Sequence, residues 1–239
     1  MSGKLARFLP LLAILALFLC LPSCSEEKAM FNGGWVLSKL NGDIPAEHPL
    51  EWCGLVIDMQ GGVLRIYSSY YNAYGELEGG VQSGRVSRIA NGGKTAEFAL
   101  RHKDNGELKT VRVNYADGTV TLDGEPEFRY QPGDFGDSLE RLGHTWILDA
   151  DAGAGSAQSA SFLPDAWVML EFDVVACNLI LTLPSYDKKS YPFWITGYAD
   201  GKISISIPGV AESAVLEFGP RNTMRMGNEL ASIMLKRGR

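Results

Sequence analysis

The chain has little of what catalysis and metal binding usually require. Three histidines and four cysteines are spread over 239 residues. None of His48, His102 or His144 lies in a nucleophile or metal motif, and there is no Gly-x-Ser-x-Gly, His-Glu-x-x-His or Cys-x-x-Cys. Basic residues are outnumbered, 22 against 28 acidic, for a formal charge of −6. That argues against nucleic-acid binding, which usually needs a basic face. With 27 glycines and 11 prolines the sequence is not of low complexity. A hydrophobic content of 46% rules out a disordered tail, and the lack of repeated long apolar runs rules out a multi-span membrane protein. The carboxylate pairs Glu76/Glu78 and Glu125/Glu127 have the residue types of glycoside chemistry. Beside Gly and Pro, however, they read as solvated loop. The sequence thus points to a non-enzymatic protein with no catalytic residue, metal ligand or cofactor.

What is present starts at the N-terminus. Lys4 and Arg7 precede an uncharged apolar stretch from Phe8 to Leu21. It is short of the ~20 residues a membrane span needs, and Pro10 weakens a helix through it. The pattern is that of a signal peptide. It ends in Leu21-Pro22-Ser23-Cys24, which resembles the lipobox of bacterial lipoproteins, with Pro22 where that family prefers Ala, Ser, Thr or Val. The resemblance implies cleavage before Cys24, acyl chains on Cys24, and a membrane partner reached through that N-terminal lipid anchor. Two or more acyl chains hold a protein stably at a bilayer. Ser25 lacks the Asp that retains such lipoproteins at the inner membrane, so the expected address is the cell envelope, lipid-anchored at the outer membrane. An ordinary cleaved secretory signal is the alternative.

Loss of Lys4 and Arg7 leaves 20 basic against 28 acidic side chains, a net of −8 on the exported part. This suits a tethered soluble body and disfavours phosphate-rich ligands. After Cys20 leaves with the signal and Cys24 is acylated, Cys53 and Cys177 remain. An oxidising compartment permits a bridge between them. Their separation favours two small buried hydrophobes.

The body alternates with period 2. Val111-Arg112-Val113-Asn114-Tyr115 and Ile203-Ser204-Ile205-Ser206-Ile207 each place one residue set on a buried face and the other on a wet one. Asn91-Gly92, Asp117-Gly118, Asp123-Gly124 and Asp200-Gly201 break the runs with tight-turn chemistry. Short strands joined by hairpins predict an antiparallel meander. Only Ser138–Leu142 suggests a short helix.

The pattern also repeats. Gly34-Trp35-Val36-Leu37 is matched by Thr145-Trp146-Ile147-Leu148, Leu55-Val56-Ile57-Asp58 by Met169–Asp173, and Ala90-Asn91-Gly92 by Ala199-Asp200-Gly201. The expected organisation is a signal peptide over 1–23, a tether over 24–32, a β-barrel repeat over 33–124, a linker over 125–142 and a second repeat over 143–239. The linker contains Pro132-Gly133 and several acidic residues, as domain boundaries do. One larger sandwich using all the strands is the alternative.

Gly33-Gly34-Trp35 on a first strand resembles the opening of lipocalin-like (calycin-type) barrels. The resemblance implies an all-β fold of two tandem antiparallel up-and-down small β-barrels, with Trp35 and Trp146 packing at the barrel bases. A META-type domain, another small Trp-x-Leu β fold, is echoed at Ala176-Cys177-Asn178. Aromatic clusters supply the candidate ligand-binding residues: Tyr67, Tyr70, Tyr71 and Tyr74 in the first half, Tyr191 and Trp194 in the second, where Tyr186 belongs to the same aromatic segment. Tyrosine offers flat apolar area and an orienting hydroxyl. The leading expectation is a small apolar or amphipathic ligand held in a barrel. The alternative is an envelope protein bound as partner by an inhibitor or accessory assembly module without a cavity.

Overall fold

Alternating sequence becomes alternating burial along strand after strand. The computed structural model describes residues 30–41, 50–101, 106–123, 127–149, 163, 166–228 and 231–238. The expected signal peptide, Cys24, most of the tether, His48, His102, Glu125 and the Ala/Gly/Ser-rich stretch 150–161 lie outside these residues. The described chain is nearly all β and forms two barrel-shaped antiparallel sheets in tandem.

The first sheet is a closed barrel of eight strands: β1 (Gly33–Asn41), β2 (Leu50–Asp58), β3 (Val63–Tyr71), β4 (Leu77–Ala90), β5 (Thr95–Arg101), β6 (Leu108–Ala116), β7 (Thr119–Leu122) and β8 (Glu127–Gly133). Each strand pairs with the next, and β8 returns to β1, with Trp35 opposite Pro132 and Leu37 opposite Tyr130. The expected linker 125–142 therefore needs correction, because its first half is the strand that closes the barrel. Phe128 and Tyr130 alternate with Arg129 and Gln131, and Tyr130 is fully buried. Pro132-Gly133 ends that strand rather than the domain before it.

The second half of the linker is α1 (Phe135–Leu142). Phe135, Ser138, Leu139 and Leu142 recur at helical spacing and form its buried face. Asp137 in the first turn and Arg141 in the last match the helix dipole.

The second sheet has nine strands: β9 (Thr145–Leu148), β10 (Met169–Asp173), β11 (Asn178–Thr182), β12 (Lys188–Pro192), β13 (Trp194–Ala199), β14 (Lys202–Ile207), β15 (Ala211–Phe218), β16 (Thr223–Gly227) and β17 (Ser232–Arg237). Their order is β12-β11-β10-β9-β17-β16-β15-β14-β13. The two edge strands, β12 and β13, are separated in the chain by Phe193 alone. The sheet therefore curls until its ends meet through the backbone. In the first barrel β4 has the same role undivided. Its N-terminal part pairs with β3 and its C-terminal part with β5.

The halves correspond at several specific contacts. The Trp35 indole N–H donates to the carbonyl of Phe31, and that of Trp146 to the carbonyl of Leu142, both four residues back and both at 3.1 Å. Tyr115 lies 6.2 Å from the Trp35 ring, and Phe218 lies 6.2 Å from Trp146. At the bend of β4, Val86 N–H turns to the carbonyl of Gly62; at the break between β12 and β13, Phe193 N–H turns to that of Cys177, each at 2.9 Å. Gly62 and Cys177 both have left-handed backbone, with φ +63° and +52°. The two sheets share one eight-position plan.

Each barrel has a core. In the first, Leu55, Ile57, Leu64, Phe98, Val113 and Tyr130 pack inside the wall. In the second, Leu170, Phe172, Leu179, Ile205, Leu216 and Leu235 do so. The second core also spreads outward, across α1, onto Trp52 and Tyr67 on the outer face of the first barrel. Phe135 is the hub of that seam, with Trp52, Tyr198 and Tyr67 edge-on to it at 5.0, 5.4 and 5.6 Å.

Candidate functional site

Each barrel has two ends. The base carries the start of β1 or β9 and the turns β2–β3, β4–β5 and β6–β7, or β10–β11, β13–β14 and β15–β16. Trp35 and Trp146 sit at this end, both buried. The open end carries the turn β3–β4 (residues 72–76) or β11–β12 (residues 183–187). The barrels share a polarity. Along β13, which runs towards its own base, Trp194 lies against Gly79 in the open-end half of the first barrel, whereas Tyr198 lies against Gly133 at its base.

The barrel interiors are occupied by their own side chains. Small barrels of about eight strands are commonly filled in this way. Two recesses lie outside the wall. A groove of about 810 Å³ runs over β14–β16, with Val210, Ala211 and Val215 on its floor and Lys202, Glu217 and Arg225 at its edge. There Lys202 pairs with Glu217 at 3.1 Å. A polar cleft of about 370 Å³ adjoins α1, between Asp137 and Arg141 on one side and Tyr198, Asp200 and Lys202 on the other. Arg141 stacks over Phe218 at 4.5 Å, and Ser138 and Tyr198 share a hydrogen bond of 3.1 Å. Among the described residues no group of His, Cys, Asp or Glu is placed to hold a metal ion.

The six aromatic residues singled out in the sequence are not brought to one place. Tyr67 points outward from β3 into the seam and is buried there. Trp194 lies in the same seam, across from Gly79. Tyr191 packs against the second core. Tyr70 faces the other way from Tyr67, and its hydroxyl donates to Glu78 Oε2 at 3.3 Å. Tyr71 is partly exposed, and Tyr74 projects fully from the β3–β4 turn. Period 2 separates such a cluster, because neighbouring tyrosines on a strand face opposite sides. The seam also holds three buried polar atoms without a hydrogen-bond partner among the described residues: Trp52 Nε1, Ser69 Oγ and Trp194 Nε1. Trp52 is directly opposite Ser69, which is opposite Gly79, so all three lie around one rung.

Cys53 and Cys177 are both free and buried. Burial pushes the Cys53 thiol up to about 11, partly offset by its hydrogen bond with Tyr130. Burial, assisted by the Asp173 carboxylate, pushes Cys177 up to about 12. Tyr67 and Tyr130 are likewise raised, chiefly by burial. Such neutral thiols are poor nucleophiles, since the thiolate is the reactive form.

Tyr186 entered the sequence reading only as part of the aromatic segment with Tyr191 and Trp194; its turn position, and Leu108 and Val168, escaped it. Tyr186 is exposed on the β11–β12 turn with φ +66°, and Leu108 and Val168 are exposed at the same end of the barrels. Aligning the two five-residue turns between paired strands would have marked Tyr186, because Gly75 stands at its equivalent position. No protein family, curated protein or solved structure matches this chain.

Proposed function

We propose that this is a non-enzymatic, lipid-anchored protein of the cell envelope that binds another protein on the outside of its two barrels, as an inhibitor or accessory assembly module. The observation that carries this reading is the filling of both barrels by their own aliphatic and aromatic side chains, together with recesses that lie on the outer wall. A small apolar ligand inside a barrel would have to displace buried Phe98 or Phe172.

The anchoring part rests on the lipobox-like Leu21-Pro22-Ser23-Cys24, and the outer-membrane address on Ser25. Cys24 precedes Gly33, the first residue of β1, by nine positions, and Gly33 lies at the base. An acylated Cys24 would hold the base towards the bilayer and leave the open ends facing away.

Two measurements test the reading. Labelled palmitate should enter the wild-type chain and not the Cys24→Ala variant. Native mass spectrometry of the gently extracted protein should show a stoichiometric protein partner. Co-purifying lipid beyond the anchor, with no protein, would return the function to a ligand-binding barrel.

A further inference from the structure

The two barrels end in the same turn. Tyr71 pairs with Leu77 across β3 and β4, and between them Asn72 N–H donates to the Glu76 carbonyl and Gly75 N–H to the Asn72 carbonyl, both at 2.9 Å. Thr182 pairs with Lys188 across β11 and β12, and between them Leu183 N–H donates to the Asp187 carbonyl and Tyr186 N–H to the Leu183 carbonyl, again at 2.9 Å. Tyr186 therefore occupies the place of Gly75. That place has left-handed backbone, φ +77° at Gly75 and +66° at Tyr186. A side chain there is strained where glycine is not.

Packing gives Tyr186 nothing in return, for it is 85% exposed. Its neighbour in the other turn, Tyr74, is 89% exposed. These are the two most exposed large hydrophobic side chains among the described residues. Tyr71, Leu108 and Val168 are exposed at the same end, so this end carries five of the nine such side chains. Retained strain and gathered apolar exposure are both marks of a contact surface.

Hydrogen bonds brace both turns. Asn72 Oδ1 accepts the N–H of Tyr74 at 2.9 Å and of Glu76 at 3.0 Å, and Asn72 Nδ2 donates to Glu78 Oε1 at 2.8 Å. Ser185 Oγ donates to Asp187 Oδ2 at 2.8 Å. Tyrosines held on braced turns lose little entropy on binding. Because the barrels share a polarity, Tyr74 and Tyr186 project from one side of the molecule, opposite the N-terminal entry.

We infer that this open-end face is a two-point docking surface for a protein, Tyr74 and Tyr186 each entering an apolar pocket of the partner. The inference rests on the surface-binding reading above and names its site. Leu108 and Val168 favour a protein over a glycan, which stacks on aromatic faces and has no use for exposed aliphatic chains. Glu76 and Glu78 flank Tyr74 with negative charge, so the partner's pocket there is rimmed by Lys or Arg.

The test uses the full-length lipidated chain in the cells that make it, with a photo-crosslinking phenylalanine placed singly at 74, 186 or 175. Val175 is the control, half-exposed on the β10–β11 turn at the base. The expected result is one protease-sensitive adduct of the same added mass from 74 and from 186, and none from 175. In parallel, Tyr74→Ser with Tyr186→Gly should lower the co-purifying partner at least tenfold while the circular dichroism spectrum is unchanged. Protease-resistant adducts, indicating a glycan, would overturn the inference. So would adducts from 175 alone, or undiminished partner on the double variant. A stoichiometric partner with no adduct at either turn defeats this site and leaves the surface-binding reading standing. No partner and no adduct anywhere defeats both.

Discussion

Cys53 Sγ and Tyr130 Oη lie 3.2 Å apart inside the first barrel, a polar pair enclosed by aliphatic side chains. The corresponding strand of the second barrel has Leu235 in place of Tyr130, opposite Leu148 as Tyr130 is opposite Leu37. The first core thus contains a thiol and a phenol that must both stay neutral.

This fixes a pH dependence. The Cys53 and Cys177 thiols are raised from 9.0 to about 11 and about 12. The folded state keeps its proton where the unfolded chain has lost it. Each thiol's contribution is therefore complete below pH 9 and is lost as pH rises through the folded value. The slope is about 1.4 kcal/mol per pH unit for each thiol. Urea midpoints measured from pH 8 to pH 11 should fall above pH 9, and Cys53→Ala with Cys177→Ala should flatten the fall. Equal slopes would refute the account.

The seam between the barrels depends on Phe135. Phe135→Ala should cost about 3–5 kcal/mol, as for other buried aromatic rings. It removes the ring that Trp52, Tyr67 and Tyr198 share, so calorimetry should resolve two transitions for the variant and a single one for the wild type.

Ser69 is fully buried in that seam, and its hydroxyl has no partner among the described residues. Ser69→Ala should raise stability by about 1 kcal/mol, because an unsatisfied buried hydroxyl is a standing penalty. A lowered thermal midpoint would contradict this.

At the base, a Cβ on Gly34 would run into the backbone nitrogen of Gly136 and come within 3.0 Å of the Gly133 carbonyl. Backbone cannot swing aside as a side chain can. Gly34→Ala should therefore destabilise by about 2 kcal/mol or more. At Gly133 the nearest atom would be 3.5 Å away, an ordinary contact. Gly133→Ala should stay within about 0.5 kcal/mol of wild type. Equal effects in thermal unfolding would discredit the close approach of β1 to α1.

Tyr186→Gly relieves the left-handed strain and removes a side chain that packs on little. Stability should rise by about 0.5–1 kcal/mol, which is a few degrees of melting temperature. A gain in stability with a loss of binding is the behaviour expected of a residue kept for contact.

Much of the fold was legible in the sequence. Ile203-Ser204-Ile205-Ser206-Ile207 alternates in sequence, and its three isoleucines are fully buried. The Trp35 and Trp146 spacing marked the two repeats. What misled was punctuation: Pro132-Gly133 looked like a boundary because strand ends and linkers share the same breakers. The candidate site was less legible. Tyr67, Tyr70, Tyr71 and Tyr74 are neighbours in sequence, yet the pleat sends them to a seam, a rim and a turn. The strain at Tyr186 depends on backbone torsion, which no residue type announces by itself.

The split of one long strand at Phe193 has a consequence for how the halves depend on each other. β13 is the last strand of its sheet, and the outer wall of β2–β4 lies against it. At the other rim, β12 is guarded by Lys188, Lys189 and Pro192, residues that discourage strand-to-strand recruitment. Shorn of its N-terminal twin, the C-terminal half would show water a bare ribbon flanked by Trp194, and self-association would follow. The two halves are therefore a shield and its ward rather than two interchangeable modules.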